Sequence, residues 1–462
     1  STRTTWKTRV YVFSPSLSLS LSNHNLSQVI ALCSSFSHLK RLVRINLSSN
    51  RIGPEGAQAL ASAIPDLPDL EWLNLMSNSV GLDSIKLLAP FLPMDFSLNS
   101  NVESTTANAG RAIRWLRHTK SPRKIWFSGN SAMGGKSIRA LAQDLPYVAS
   151  TLQFLDISNN ALGEQGAKYL SESLCKLQHL ESFAISQNEL GSRGVSMIMK
   201  SISSLSSLRC LSLCEEKLDT LGASNLGRGL SSMMNLEELN LFACSMGDVD
   251  GIQALSLGMK RCQTLKILKL SFAHILDGTF SYFFFRSRHL QQQHKQTDGM
   301  KIMCSIVFPE LTSLVHLELQ WNGLTQESAT YLSDAMKSKC LTRLETLNLG
   351  WNRIGQQGAR SLASGLNQMK SLRNLCLDAT AIGPSGLQSL TRALSELSNL
   401  QTLSLARCAL GDEGLLNLTM SGDLGRLAKH LSRLDLRSNL ISLDCKKSLE
   451  ASLRGCVNTL LI

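Results

Sequence analysis

Apolar and polar positions recur along this chain in one fixed frame. In Leu152-Gln-Phe-Leu155-Asp-Ile157-Ser-Asn-Asn160-Ala-Leu162-Gly163 the apolar residues alternate over a short stretch before an asparagine and a glycine. The same frame begins at Leu180, Leu208 and Leu236, each 28 residues on, and at Leu344, Leu372 and Leu400 with that interval again. Other intervals bring it back at Leu42, Leu70, Leu265, Leu314 and Leu431. Two weaker copies use Pro93, Phe96, Leu98 and Asn101, then Pro122, Ile125, Phe127 and Asn130. Leu19, Leu21 and Leu26 fit a worn first copy, and Val457, Leu460 and Ile462 open a last one.

Each copy predicts two elements. The alternating segment is a short strand whose leucines face a core while the residues between them face out. Gly53/Gly56 with Leu60 and Ile64, or Gly355/Gly358 with Leu362 and Leu366, then read as a left-handed turn followed by an amphipathic helix. The asparagine after the strand (Asn50, Asn78, Asn160, Asn188, Asn322 and Asn352) has both a donor and an acceptor for the turn's backbone, and stacked copies predict an amide ladder. Cys244 and Cys408 take its place, while Glu216, Ala273 and Thr380 interrupt it and predict local irregularity. This is the L-x-x-L-x-L-x-x-N/C-x-L signature of leucine-rich repeats. The fold class expected is α/β: a leucine-rich-repeat solenoid, or horseshoe, with an inner parallel β-sheet and outer helices.

Residues 39–462 form that solenoid. Residues 1–38 are an N-terminal segment, either a worn first repeat or an incomplete N-terminus, since the chain starts at Ser1 without Met. The interval of 49 from Leu265 to Leu314 leaves a loop insertion at about 278–300, which carries Tyr282-Phe283-Phe284-Phe285.

A chain of 462 residues suggests several globular domains, but a solenoid adds units without closing new cores. With 43% hydrophobic and 18% charged residues the chain is expected to fold. Its 12 cysteines include no CxxC pair, which points to a reduced protein, cytoplasmic with the nucleus as the alternative. No apolar run reaches the ~18 residues of a membrane span.

Candidate chemistry dissolves into the repeat frame. Gly134-Gly135-Lys136-Ser137 resembles the end of a phosphate loop, yet the glycine required five residues earlier is Asn130, the repeat's own ladder residue. The histidines show no metal-ligand spacing, and Cys210 and Cys214 have no His or Asp in frame. No enzyme activity, cofactor or metal is expected.

The pattern over roughly residues 40–462 resembles the ribonuclease-inhibitor-like class of leucine-rich repeats. That class includes ribonuclease inhibitor, the Ran GTPase-activating proteins and the repeat regions of nucleotide-binding innate immune receptors. The resemblance implies a concave sheet that grips a protein partner, hence an interaction scaffold. It also allows a Ran-directed GTPase activator, against which stands the lack of an acidic tail, and the sensor region of an innate immune receptor.

The third, fifth, seventh and eighth positions of each copy should face outward on the concave side. They hold Trp72, Trp126, Phe154, Phe242, Phe272, Trp321 and Trp351, an aromatic set of the kind that dominates interface energies. Phe242 stands at a seventh position, while Phe272, Trp321 and Trp351 stand at eighth positions of successive copies, predicting one ridge. Glu238 and Glu318 are the acidic contacts proposed beside it. The excess of 47 Lys and Arg over 35 Asp and Glu gives +12. It gathers at Arg111, Arg114, Arg117, Lys120, Arg123 and Lys124, and at Arg286, Arg288, Lys295 and Lys301, not among the aromatics. Those runs read as solvated edges or contacts to an acidic partner. A nucleic-acid track would interleave the two residue types, so nucleic acid is disfavoured. A protein partner of unknown identity, no membrane contact and a monomer are expected.

Overall fold

The computed structural model describes residues 17–21, 26–102, 114–131, 134–273, 275, 299–420, 422–453 and 455–462. They fall into two compact units, Ser1–Leu208 and Arg209–Ile462. Each is built of parallel strands in chain order, with a helix or helical turns between most of them.

In the first unit the strands are Leu17–Ser20, Leu42–Asn46, Trp72–Asn74, Asp95–Ser97, Lys124–Trp126, Phe154–Asp156 and Ser182–Ala184. Their register places Leu19, Ile45, Leu73, Phe96, Ile125, Leu155 and Phe183 in one row. In the second unit Cys210–Ser212, Glu238–Asn240, Ile267–Lys269, His316–Glu318, Thr346–Asn348, Asn374–Cys376, Thr402–Ser404, Arg433–Asp435 and Thr459–Leu461 pair likewise. Leu211, Leu239, Leu268, Leu317, Leu347, Leu375, Leu403, Leu434 and Leu460 make the corresponding row. Both rows are the fourth position of the frame, and all but the last residue, the half-buried Leu460, are buried. The weak copies at Phe96 and Ile125, the worn first copy and the last copy all supply strands. The fold is therefore a leucine-rich-repeat solenoid in each unit.

The helices follow from the second half of the frame. Gly355 turns the chain at φ 64° into Gly355–Leu366, which buries Ala359, Leu362 and Leu366 against the strands' leucines. One face of each sheet is thus covered by helices, and the other is left open.

The asparagine ladder joins one repeat to the next. Asn352 Nδ2 donates to the carbonyls of Leu319 at 2.9 Å and Leu349 at 2.8 Å. Its Oδ1 accepts from the backbone N–H groups of Asn322 and Leu324, both at 3.0 Å. Cys244 substitutes by donating its S–H to the Leu213 carbonyl at 2.9 Å. Burial pushes that thiol up to about 12, which keeps it in the donating form.

Three expectations need correction, and one is met. The repeat frame makes Gly134–Ser137 a strand-to-helix turn, but it opens the helix Gly134–Asp144, with Ser137 buried. Thr380 causes no irregularity, because its hydroxyl donates to the Leu377 carbonyl at 2.5 Å and the following Gly383 keeps the usual left-handed turn. At Glu216 the irregularity does occur. Lys217–Leu218 pairs with Ser245–Met246 in a separate two-stranded ladder, and Asp219 and Asp248 cap the next helices from Gly222 and Gly251. The insertion ends earlier than 300, since Gly299 and Met300 are buried in the helix Gly299–Ile302. The rest of that proposed loop, including Tyr282-Phe283-Phe284-Phe285, lies outside the described residues.

Candidate binding surface

Strand alternation sends the third and fifth positions to the open face, and the turn carries the eighth beside them. That eighth residue has a positive φ in repeat after repeat, from Ser49 at 58° and Asn159 at 53° to Ala379 at 54° and Ser438 at 60°. The turn must bend there to bring the next residue's backbone onto the amide ladder. An L-residue in this region costs roughly 1–2 kcal/mol, least for Gly and for short polar residues that bond locally. Ser, Gly or Asn fills it in several repeats, while Gln187, Glu215, Ala243, Ala379 and Arg407 accept the cost. Phe272, Trp321 and Trp351 are the bulkiest residues there, at φ 57°, 58° and 57°.

These bulky residues form a continuous stack in the second unit. Phe242 meets Phe272 edge-on, with ring centroids 5.6 Å apart and planes at 65°. Phe272 stacks on Trp321 at 5.1 Å and 19°, and Trp321 on Trp351 at 4.3 Å and 10°. Those separations match the ~4.8 Å step between neighbouring strands, so equal positions in adjacent repeats stack directly. Phe242 stands one position earlier, which explains its edge-on approach. The stack continues with a cation: the Arg407 guanidinium lies 5.4 Å above the Trp351 ring, reaching past the small Ala379 of the intervening repeat. All four rings are half-buried.

The other aromatic positions lie in the first unit. Trp126 and Phe154 meet at 4.7 Å and 39°, the fifth position of one strand against the third of the next. Trp72 stands in the strand row between Arg44 and Asp95. Both sites are half-buried on the open face.

Glu238 and Glu318 flank Lys269 instead of waiting for a partner. Glu238 holds Lys269 at 2.7 Å, and Glu318 is its neighbour in the strand register. Burial opposes the charge on Lys269, but the Glu238 hydrogen bond and both carboxylates outweigh it and hold the amine above its ordinary value. Glu237 bridges Arg209 at 2.8 Å and Lys266 at 2.6 Å nearby.

The first basic run is likewise engaged within the chain. Arg114 and Arg117 converge on the fully buried Asp144 at 2.7 and 3.1 Å, and Arg123 and Lys124 approach Asp95 at 3.6 and 3.9 Å. These four are thus paired within the chain while their side chains stay 30–45% exposed. Arg111, Arg286, Arg288 and Lys295 lie outside the described residues. Among the described residues no group of three or more His, Cys, Asp and Glu is placed to hold a metal ion, and no helix is long and apolar enough to cross a membrane.

Sequence reasoning missed the far end of the stack. Arg407 occupies the same eighth position as the rings, a signal that was present but counted only as charge. A cleft of about 260 Å³ opens there, lined by Trp351, Asp378, Ala406, Arg407, Arg437 and Ser438. Arg437 grips Asp435 through Nε and Nη2 at 2.9 and 2.6 Å. Burial raises the Asp435 pKa, but the Arg437 bonds and charge prevail and bring it below the usual aspartate value.

The Leucine Rich repeat family matches residues 38–61, 148–171, 176–199, 310–333, 341–363 and 396–418. Over 77 residues the chain is 39% identical to the leucine-rich repeat-containing protein AAC1 of Dictyostelium discoideum, covering 16% of this chain and only 10% of that relative's length. Among solved structures it resembles an internalin (inlF) of Listeria monocytogenes, with a TM-score of 0.42 and 16% identity over 93% of this chain and 88% of that one. It also resembles the yeast Rad7 and Elc1 complex, with a TM-score of 0.45 and 14% identity over 94% and 86%.

Proposed function

We propose that this chain is a protein-interaction scaffold whose docking surface is the aromatic stack from Phe242 to Trp351 on the open face of the second unit. One observation carries the reading: Phe272, Trp321 and Trp351 hold three successive left-handed positions that the fold fills more cheaply elsewhere with Ser, Asn or Gly. Local backbone preference does not select an aromatic there, and burial in the chain's own core does not either. Half-buried, rigid rings in a row are the residue type that anchors protein interfaces. Glu238 and Glu318 act on this surface through the charge they share with Lys269, and Trp126 with Phe154 forms a second, smaller contact site.

The alternating strand and helix within units of 28 residues supports the ribonuclease-inhibitor-like class. A reducing compartment, cytoplasm or nucleus, suits a chain in which Cys244 and Cys408 serve the ladder as S–H donors.

Affinity purification with mass spectrometry, comparing wild type with Trp321→Ala/Trp351→Ala, tests the scaffold reading. A partner recovered with wild type should bind the double variant more than about tenfold more weakly once both are purified. Equal affinity would mean that the stack only packs against itself.

A further inference from the structure

We infer that the cleft at the end of the stack is a receptor for one Asp or Glu side chain carried by an extended segment of the partner. This rests on the reading of the stack as a docking surface. The Arg407 guanidinium lies on the Trp351 ring and has no carboxylate partner among the described residues. Arg437 uses Nε and Nη2 on Asp435, while Nη1 takes no part in that pair and the side chain is 57% exposed. Asp378, the one acid lining the cleft, is already occupied by the Ser404 hydroxyl at 2.6 Å and the Ala406 N–H at 2.8 Å. The cleft therefore offers one uncommitted guanidinium and part of another above an indole face. A planar anion matches this fork geometry, with two N–H groups donating to two oxygens.

Charge along the face selects a single carboxylate over a phosphate chain. A nucleic-acid strand following the rings would pass Glu238, Glu318 and Asp378, each opposing its phosphates. An isolated acidic side chain meets only Asp378 and, across Arg437, Asp435, both already engaged within the chain. The open face also runs on past the cleft to the strand Thr459–Leu461, so nothing obliges a bound segment to end in a terminal carboxylate there.

The test uses random peptides displayed on phage by their N-termini and selected against the whole chain. Peptides that bind wild type should be enriched in Asp or Glu next to an apolar residue. As synthetic amidated peptides they should bind Arg407→Ala about tenfold more weakly and Arg407→Glu not at all. Arg407 is exposed, and Ala379 and Ala243 show that alanine fits the same left-handed position, so these variants should fold; circular dichroism checks it. If the selected peptides need Trp321 and Trp351 but neither an acid nor Arg407, the receptor falls and the docking surface stands. If no peptide depends on Trp351, both fail. Binding only by peptides with a free C-terminal carboxylate, or Arg407-dependent binding of oligo-dT in preference to acidic peptides, would overturn the inference as well.

Discussion

At the residue scale, the eighth position of the repeat sets a local preference against an interface. Its φ near +57° disfavours a bulky L-residue, and yet Trp351 occupies it because its ring stacks on Trp321 at 4.3 Å. The two contributions can be separated. Trp351→Ala removes the stack and keeps the strained backbone, whereas Trp351→Gly removes both the stack and the strain. Urea denaturation should therefore find Trp351→Gly more stable than Trp351→Ala by about 1 kcal/mol, although both lose the ring contact. Glycine also loosens the unfolded chain, which offsets about 0.4–1 kcal/mol of the relief. A glycine variant less stable than the alanine variant by about that amount would mean that the backbone is not strained at this position.

At the element scale, what couples one strand–helix unit to the next is the asparagine. Asn352 is buried and bonds the carbonyls of Leu319 and Leu349 and the N–H groups of Asn322 and Leu324. Asn352→Ala would leave several buried backbone groups unpaired, each costing about 1–3 kcal/mol, so a loss of at least 3 kcal/mol is expected. Asn352→Cys should lose less, because a thiol supplies one donor, as Cys408 does for Leu377. Thermal unfolding that ranks the cysteine variant no better than alanine would refute this account. The ladder and the strand register were legible in the sequence because burial and alternation impose a strict period. Even the worn copies kept their inward residues. The segment before the strand Lys124–Trp126 was not legible. There Trp115 turns inward between Phe96 and Phe127, with centroids at 6.2 and 5.4 Å, beside the single helical turn Leu116–His118. A large residue filling a space where the frame expects a helix has no periodic signature. The aromatic positions were readable one repeat at a time. Their stacking, and the extension through Arg407, depends on the exact superposition of neighbouring turns, which spacing alone does not give.

At the scale of the whole molecule, charge sets the acid limit of stability. Asp435, Glu237, Asp248 and Asp412 are all held below their ordinary values, by Arg437 against burial for Asp435, by Lys266 and Arg209 for Glu237, by Thr220 and Gly251 for Asp248, and by Ser442 for Asp412. A carboxylate with a depressed folded value stabilises the fold above its unfolded value near 4, and that stabilisation is lost as pH falls through the folded value. Self-repulsion acts in the same direction. Protonating the 35 acidic side chains leaves 47 Lys and Arg and 9 His without compensation. The urea midpoint should hold between pH 7 and 5 and fall steeply from about 4.5 to 3. Arg437→Gln should flatten part of that slope, because Asp435 then has less stabilisation to lose. Added salt should restore stability at pH 3 if repulsion dominates, since a Debye length of about 10 Å at 0.1 M shrinks to about 3 Å at 1 M. Salt without effect at pH 3 would assign the loss to the paired carboxylates alone. A midpoint unchanged from pH 6 to 3 would remove both causes.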